Sequence, residues 1–209
     1  MLIESMRDIG YTLETALADI IDNAITAHAK TIQLIADIGD SEVKIGILDD
    51  GEGMTEKELH IAMRPGSRNP LEERDLSDLG RFGLGMKTAS FSQCRRFTVV
   101  TRHKGVTSAA IWDLDHVAET DDWLVQIPDD LHSIPWADKL GKSGTLVIWE
   151  KLDRLIKRDG SDNGLSDFIR RIDDTREHLE LVFHRFLTGE RDLKKIRVLL
   201  NERPLEPFD

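Results

Sequence analysis

Residues 12–54, TLETALADIIDNAITAHAKTIQLIADIGDSEVKIGILDDGEGM, decide the fold. From Leu13 to about Ala29 the apolar residues Leu13, Ala16, Leu17, Ile20, Ile21, Ala24 and Ala27 recur at three- and four-residue spacing, the period of one helix face. Gly10 and Thr12 supply the start signal. The period then changes. Thr31 to Ile38 and Val43 to Leu48 are rich in β-branched residues and flank the turn-like Gly39-Asp40-Ser41, which predicts an antiparallel strand pair.

Outward from this stretch the pattern predicts a short helix over Glu56 to Met63, a long loop from Pro65 to Gly83 and a helix from Gly85 to Ser92. Strand-like segments follow at Phe97 to Thr101, Thr107 to Asp113, Trp123 to Ile127 and Thr145 to Trp149, with Asp129 to Ser143 as a connection. A long helix over Leu165 to Leu187 and a last strand over Ile196 to Leu200 complete the chain. Strands in antiparallel runs with helices before, between and after them predict an α+β fold: a two-layer sandwich whose mixed, mostly antiparallel sheet carries its helices on one face.

Composition narrows the function. The 209 residues hold 28 Lys and Arg against 39 Asp and Glu, a net charge of −11, which excludes a whole-surface attraction for nucleic acid or anionic lipid. A polyanion would have to meet a local basic patch. With 40% hydrophobic and 32% charged residues the chain reads as neither disordered nor membrane-spanning. Its polar N-terminus offers no signal-peptide run, so a soluble, cytoplasmic protein is expected. Cys94 is the only cysteine, which excludes an internal disulfide and any multi-cysteine zinc site. The histidines show no paired ligand spacing, and the four tryptophans and Cys94 read as core.

Four short patterns carry chemistry. Asp19, Asn23 and Thr26 share one stripe of the first helix, as either a solvated face or an amide and a carboxylate able to hold a hard cation and orient a water. Asp49-Asp50-Gly51-Glu52-Gly53-Met54 follows a strand. It reads as a turn, or as a carboxylate able to accept a hydrogen bond from an exocyclic amine, with Met54 as a soft apolar contact. Gly80-Arg81-Phe82-Gly83-Leu84-Gly85-Met86-Lys87-Thr88 lies where the long loop meets a helix and suits phosphate or a flexible hinge. Met86, between Gly85 and Lys87, breaks the P-loop pattern, and the glycine spacing is the reverse of the dinucleotide fingerprint. Gly144-Thr145 opens a strand and, taken alone, is an ordinary turn.

In this order the four patterns, over about residues 12 to 150, resemble the nucleotide-binding boxes of the GHKL superfamily, which shares the Bergerat fold. Gyrase B subunits, the ninety-kilodalton heat-shock chaperone, histidine kinases and MutL proteins belong to it. From ALADIIDNAITAHAKTIQL through GRFGLGMKTASFS the texture is most similar to MORC- and MutL-like ATPases. The resemblance implies a Mg²⁺-dependent, slow ATPase acting as a conformational and dimerisation switch within a larger protein. It implies ATP and ADP as ligands, an ATP-dependent homodimer, DNA only through other domains and no membrane. Two further readings are a nucleotide-binding switch with little hydrolysis and a histidine kinase catalytic domain.

The resemblance also assigns roles. Asn23 would coordinate Mg²⁺ at the phosphates, and Asp49 would bind the adenine amine with Thr145 in support. Gly51, Gly53 and Met54 would shape the adenine pocket and Ala27 would line the nucleotide's edge. Gly80, Gly83 and Gly85, with the backbone of Phe82, Leu84 and Thr88, would cradle phosphates, with Arg81 and Lys87 supplying charge. Asp19 stands where many members have the Glu that activates water; one methylene fewer withdraws the carboxylate by roughly 1 Å. Thr26 stands where an Asp is common. Residues 1–192 are expected to form the ATP-binding domain, with a lid over about 64–84, and residues 193–209 a terminal strand leading toward a transducer domain.

Overall fold

The computed structural model describes residue 7 and residues 10–39, 42–64, 80–155, 163–190 and 193–208, with backbone alone at 80–84 and 163. Helix α1 (Leu13–Thr26) starts at a capping box in which Thr12 and Thr15 satisfy each other's backbone N–H groups, and Ala27 caps its end. His28, at φ 61°, turns the chain into strand β1 (Thr31–Ile38). Strand β2 (Val43–Asp49) returns antiparallel, in a register running from Ile38 opposite Val43 to Ile32 opposite Asp49. Helix α2 (Glu56–Met63) is capped reciprocally by Thr55 and Glu58.

Helix α3 (Gly80–Gln93) leads into strands β3 (Arg96–His103) and β4 (Val106–Asp113) and helix α4 (Leu114–Thr120). Strand β5 (Gly144–Glu150), helices α5 (Asn163–Val182) and α6 (His184–Thr188), and strands β6 (Arg197–Leu200) and β7 (Arg203–Pro204) follow. The seven strands form one sheet in the order β4-β3-β5-β2-β1-β6-β7. β1 and β6 run parallel, and every other neighbouring pair is antiparallel. The fold is thus α+β, with a mixed, mostly antiparallel sheet.

Alternation along the central strands separates two cores. Val147 and Trp149 of β5, with Phe97 and Val99 of β3, face the helices and pack with Leu17, Ile21, Phe91 and Phe168. Leu146 and Ile148 face the other way and pack with Val100, Ile134 and Leu140 under the connection before β5. Trp136 of that connection lies so close over β2 that a Cβ at Gly46 would stand 2.8 Å from its ring. Trp112 and Trp149 are fully buried, as is the Cys94 thiol, whose pKa burial pushes up. No helix among the described residues is long and apolar enough to cross a membrane.

Three expectations are corrected. The segment Trp123 to Ile127 makes one bridge, Gln126 to Ile111, rather than a strand. Asp121 before it is left-handed, Pro128 after it has no N–H to continue a ladder, and Leu124 and Ile127 are exposed. Trp123 is held instead by an edge contact to Trp112, with ring centroids 5.8 Å apart. Helix α3 begins at Gly80, five residues before the expected start at Gly85, so Gly80, Gly83 and Gly85 are helical rather than a loop end. Each glycine disfavours helix by about 1 kcal/mol relative to Ala, but burial of Met86, Ala89 and Phe91 on the same helix outweighs it. The last long helix breaks at Phe183, between α5 and α6.

Candidate functional site

The Asp49 turn is built by four segments meeting at the end of β2. Asp49 Oδ1 accepts from the backbone N–H of Gly51 at 2.8 Å and of Thr145 at 3.2 Å. Burial pushes its pKa up to about 6, opposed by those two hydrogen bonds and reinforced by the neighbouring Asp50 charge. Asp50 serves the fold, since its Oδ1 accepts from Lys30 N at 2.6 Å and Thr31 N at 2.8 Å and fixes the start of β1. The two adjacent carboxylates are therefore divided between a tie to β1 and a group facing the β5 end.

Glycine is required at three places in this turn. A Cβ at Gly51 would stand 2.7 Å from the Ala27 carbonyl oxygen, so the turn lies directly on the end of α1, where Glu52 N also donates to Ala27 O at 2.9 Å. Gly53, at φ +69°, leaves no room for a side chain against the Arg102 carbonyl. Gly144, at φ +133°, leaves none against the Asp49 carbonyl. Gly144→Ala is expected to destabilise the chain by about 2–3 kcal/mol or more, through left-handed strain added to a backbone clash. A fall in the denaturation midpoint of the purified variant checks this; an unchanged midpoint would show that β5 can shift away from Asp49 without loss.

Thr101, fully buried on β3, joins the remaining parts of the turn. Its hydroxyl accepts from Met54 N at 2.7 Å, donates to the Gly144 carbonyl at 3.2 Å and lies 3.3 Å from Thr145 Oγ1. Sequence reasoning passed over Thr101 as an ordinary strand residue. Its one signal is register, because Thr101 stands opposite Thr145 in the β3–β5 pair.

From the Asp49 turn the arrangement continues along α1. Ala27 touches Gly51, and Asn23 and Asp19 lie one and two turns earlier on the same stripe, so the stripe runs about 12 Å along the helix axis at 1.5 Å per residue. Asn23 is half-buried and its side-chain amide has no hydrogen bond among the described residues. Asp19 accepts from the Tyr11 hydroxyl at 2.8 Å and faces α3, where a Cβ at Gly85 would stand 3.9 Å from its Oδ2. Tyr11 too was missed, since it precedes the helix and no periodic rule pairs it with Asp19. Thr26 is exposed and returns its hydroxyl to the Asp22 carbonyl at 2.9 Å.

The glycine-rich stretch is brought to this stripe through α3, which packs against α1. Lys87 is buried at 3% exposure and donates to the Arg64 carbonyl at the end of α2, with its pKa lowered to about 8 by burial. Thr88 is half-buried on the same helix. The side chains of Arg81, Phe82 and Leu84, and most of the segment at about 64–84 expected to form a lid, lie outside the described residues. Asp49, Gly51, Gly53, Met54, Ala27 and Thr145 thus share one cluster of contacts, and Asp19 and Gly85 approach each other two helical turns away.

Comparison with known proteins adds to this geometry. The DNA mismatch repair protein MutL of Bradyrhizobium diazoefficiens is 34% identical over 92 residues, which is 44% of this chain and 15% of that protein. MutL of Rhodopseudomonas palustris is 34% identical over 101 residues, 48% of this chain and 16% of its own length. The matched stretch thus spans about a sixth of these relatives. The family described as histidine kinase-, DNA gyrase B- and HSP90-like ATPase matches residues 11–145, the span that holds α1, the Asp49 turn, Thr101 and Thr145. With 135 of the 209 residues inside that match, the chain belongs to this ATPase family.

Proposed function

We propose that the chain is a Mg²⁺-dependent ATP-binding module that hydrolyses ATP slowly and acts as a conformational and dimerisation switch within a larger protein. The observation that carries this is the Asp49 carboxylate, held at the end of a central strand by Gly51 and Thr145 with a pKa of about 6. Both of these donors go to Oδ1, which leaves Oδ2 without a hydrogen bond among the described residues; an ionised oxygen withdrawn from water needs a donor, and the exocyclic amine of adenine supplies one. Gly51, Gly53 and Met54 border the base in this reading, and Thr145 supports Asp49.

At the other end of the stripe the phosphates lie by Asn23, Asp19 and the start of α3, with the Gly80–Gly85 backbone, Phe82, Leu84, Thr88, Arg81 and Lys87 contributing. The half-buried Asn23 amide, free of protein partners among the described residues, suits Mg²⁺ as a single neutral oxygen ligand, because that cation keeps waters and takes substrate phosphates for its other positions. When bound, the cation supplies positive charge to the phosphate oxygens. Asp19 positions a water and takes its proton as the water oxygen attacks the γ-phosphorus. Residues 1–192 make up the module and residues 193–209 lead toward a transducer-type domain. The cellular setting is the cytoplasm, and DNA contacts belong to other domains.

A second reading, an ATP-binding switch with little hydrolysis, draws on the short reach of Asp19. A calorimetric titration of the chain with ATP, with and without Mg²⁺, tests the proposal. Saturable one-to-one binding that tightens with Mg²⁺ is the expected result, and the absence of binding under either condition would overturn it. Binding without phosphate release would favour the second reading.

A further inference from the structure

Tyr11 is the sole tyrosine of the chain and stands just ahead of the Thr12 cap of α1. Its hydroxyl donates to Asp19 Oδ2 at 2.8 Å. The residue is itself tied down. Its carbonyl accepts from the Gln93 side chain of α3 at 3.2 Å, and its half-buried ring packs on the main core. Asp19 Oδ2 is therefore held by Tyr11 while it faces Gly85, whereas Asp19 Oδ1 has no hydrogen bond among the described residues.

We infer that Tyr11 is a positioning residue for ATP hydrolysis, fixing the Asp19 carboxylate by one oxygen so that the other faces the attacking water. The inference rests on the ATPase reading above. In the step, the water proton passes to Asp19 Oδ1 as the water oxygen bonds to the γ-phosphorus. The bond from that phosphorus to the β–γ bridging oxygen breaks, and its electron pair leaves with ADP. A short carboxylate must be placed well to reach that water, and a misplacement of about 1 Å lowers such rates by about 100-fold. Tyr11 remains a donor at neutral pH, because the hydrogen bond to Asp19, with burial and the Asp19 charge, pushes its phenol above the ordinary tyrosine range.

Tyr11→Phe keeps the ring and removes the hydroxyl. Phosphate release at saturating ATP and Mg²⁺ is expected to fall about 10- to 100-fold, with calorimetric ATP affinity within twofold of the parent and an unchanged thermal midpoint. Turnover at the parent rate overturns the inference. So does a loss of ATP affinity matching the loss of rate, which would make the hydroxyl a binding or folding contact. Asp19→Asn separates the two levels. If the parent releases no phosphate, the hydrolysis reading and this inference fall together; if Asp19→Asn leaves turnover intact, hydrolysis stands but Asp19 is not its base, and this inference falls. If Asp19→Asn abolishes turnover and Tyr11→Phe does not lower it, Tyr11 alone is refuted. The double variant is expected to lose no more than Asp19→Asn alone. Because the chain has one tyrosine, an absorbance titration reads this phenol directly. Its pKa is expected to drop toward the free value in Asp19→Asn, and identical titrations in parent and variant would refute the contact.

Discussion

Asp49→Asn is expected to stabilise the chain while lowering its ATP affinity by about 100-fold, two effects of opposite sign from one substitution. Burial raises the folded-state pKa of Asp49 to about 6, from an ordinary value of 3.8. The folded state therefore binds the proton more tightly than the unfolded chain, and stability falls as pH rises between about 4 and 6. That rise corresponds to about 3 kcal/mol of destabilisation at neutral pH. Asn removes that charge and keeps an Oδ1 that can accept from Gly51 and Thr145. Its stability advantage should be full above pH 6 and vanish toward pH 4, as read by denaturant unfolding across that range. The same amide turns a donor toward the purine amine, so two donors meet. Calorimetry showing parent-like ATP binding in the variant would remove Asp49 from adenine recognition. In the parent, ATP affinity is expected to fall as pH drops through 6, because only the ionised carboxylate is a pure acceptor.

Asp19→Asn is expected to lower the rate of phosphate release by about 10²- to 10⁴-fold and to leave ATP affinity within a few-fold of the parent. The amide keeps the shape of the carboxylate and still accepts from the Tyr11 hydroxyl, but it cannot take a proton from water. The loss should therefore appear in the rate at saturation rather than in binding. Turnover measured alongside calorimetry decides this. Unchanged turnover would exclude Asp19 as the base.

Much of the scaffold is legible because local pattern and final environment agree. The apolar spacing of Leu13 to Ala24 is the buried face of α1, and the Thr12 start signal is the capping residue. Thr31–Ile38 and Glu56–Met63 have the bounds that the pattern predicts. Agreement fails where distant packing decides. The apolar, β-prone run Trp123 to Ile127 looks like a strand, but its neighbours stop the ladder after one bridge. Asp113, which the pattern placed at a strand end, also caps α4 by accepting from Asp115 N, a helix with too few residues to show a period.

At the candidate site, residue types were readable and connections were not. The Asp-x-Gly-x-Gly turn marks itself because glycine is the residue that tolerates such close approach, and the fold sets that turn on Ala27 and Thr145. Thr101 is visible only once residues 47 and 44 positions away meet its hydroxyl. Lys87 carries the positive charge that the glycine-rich stretch suggested, yet in the folded chain that charge rests on the Arg64 carbonyl. No local pattern reports which of several acceptors a long side chain reaches.

The stripe from Asp19 to Ala27 has a further consequence for how this region can vary. Both of its ends are set by one stiff element of fixed rise, so their spacing is a matter of residue count and not of loop conformation. Inserting a single residue between Asn23 and Ala27 would swing Asp19 about 100° around the axis relative to Ala27, so that the two could no longer face Gly85 and the Asp49 turn together. Evolutionary change along this rod is therefore open to exchange of side chains and closed to change of length.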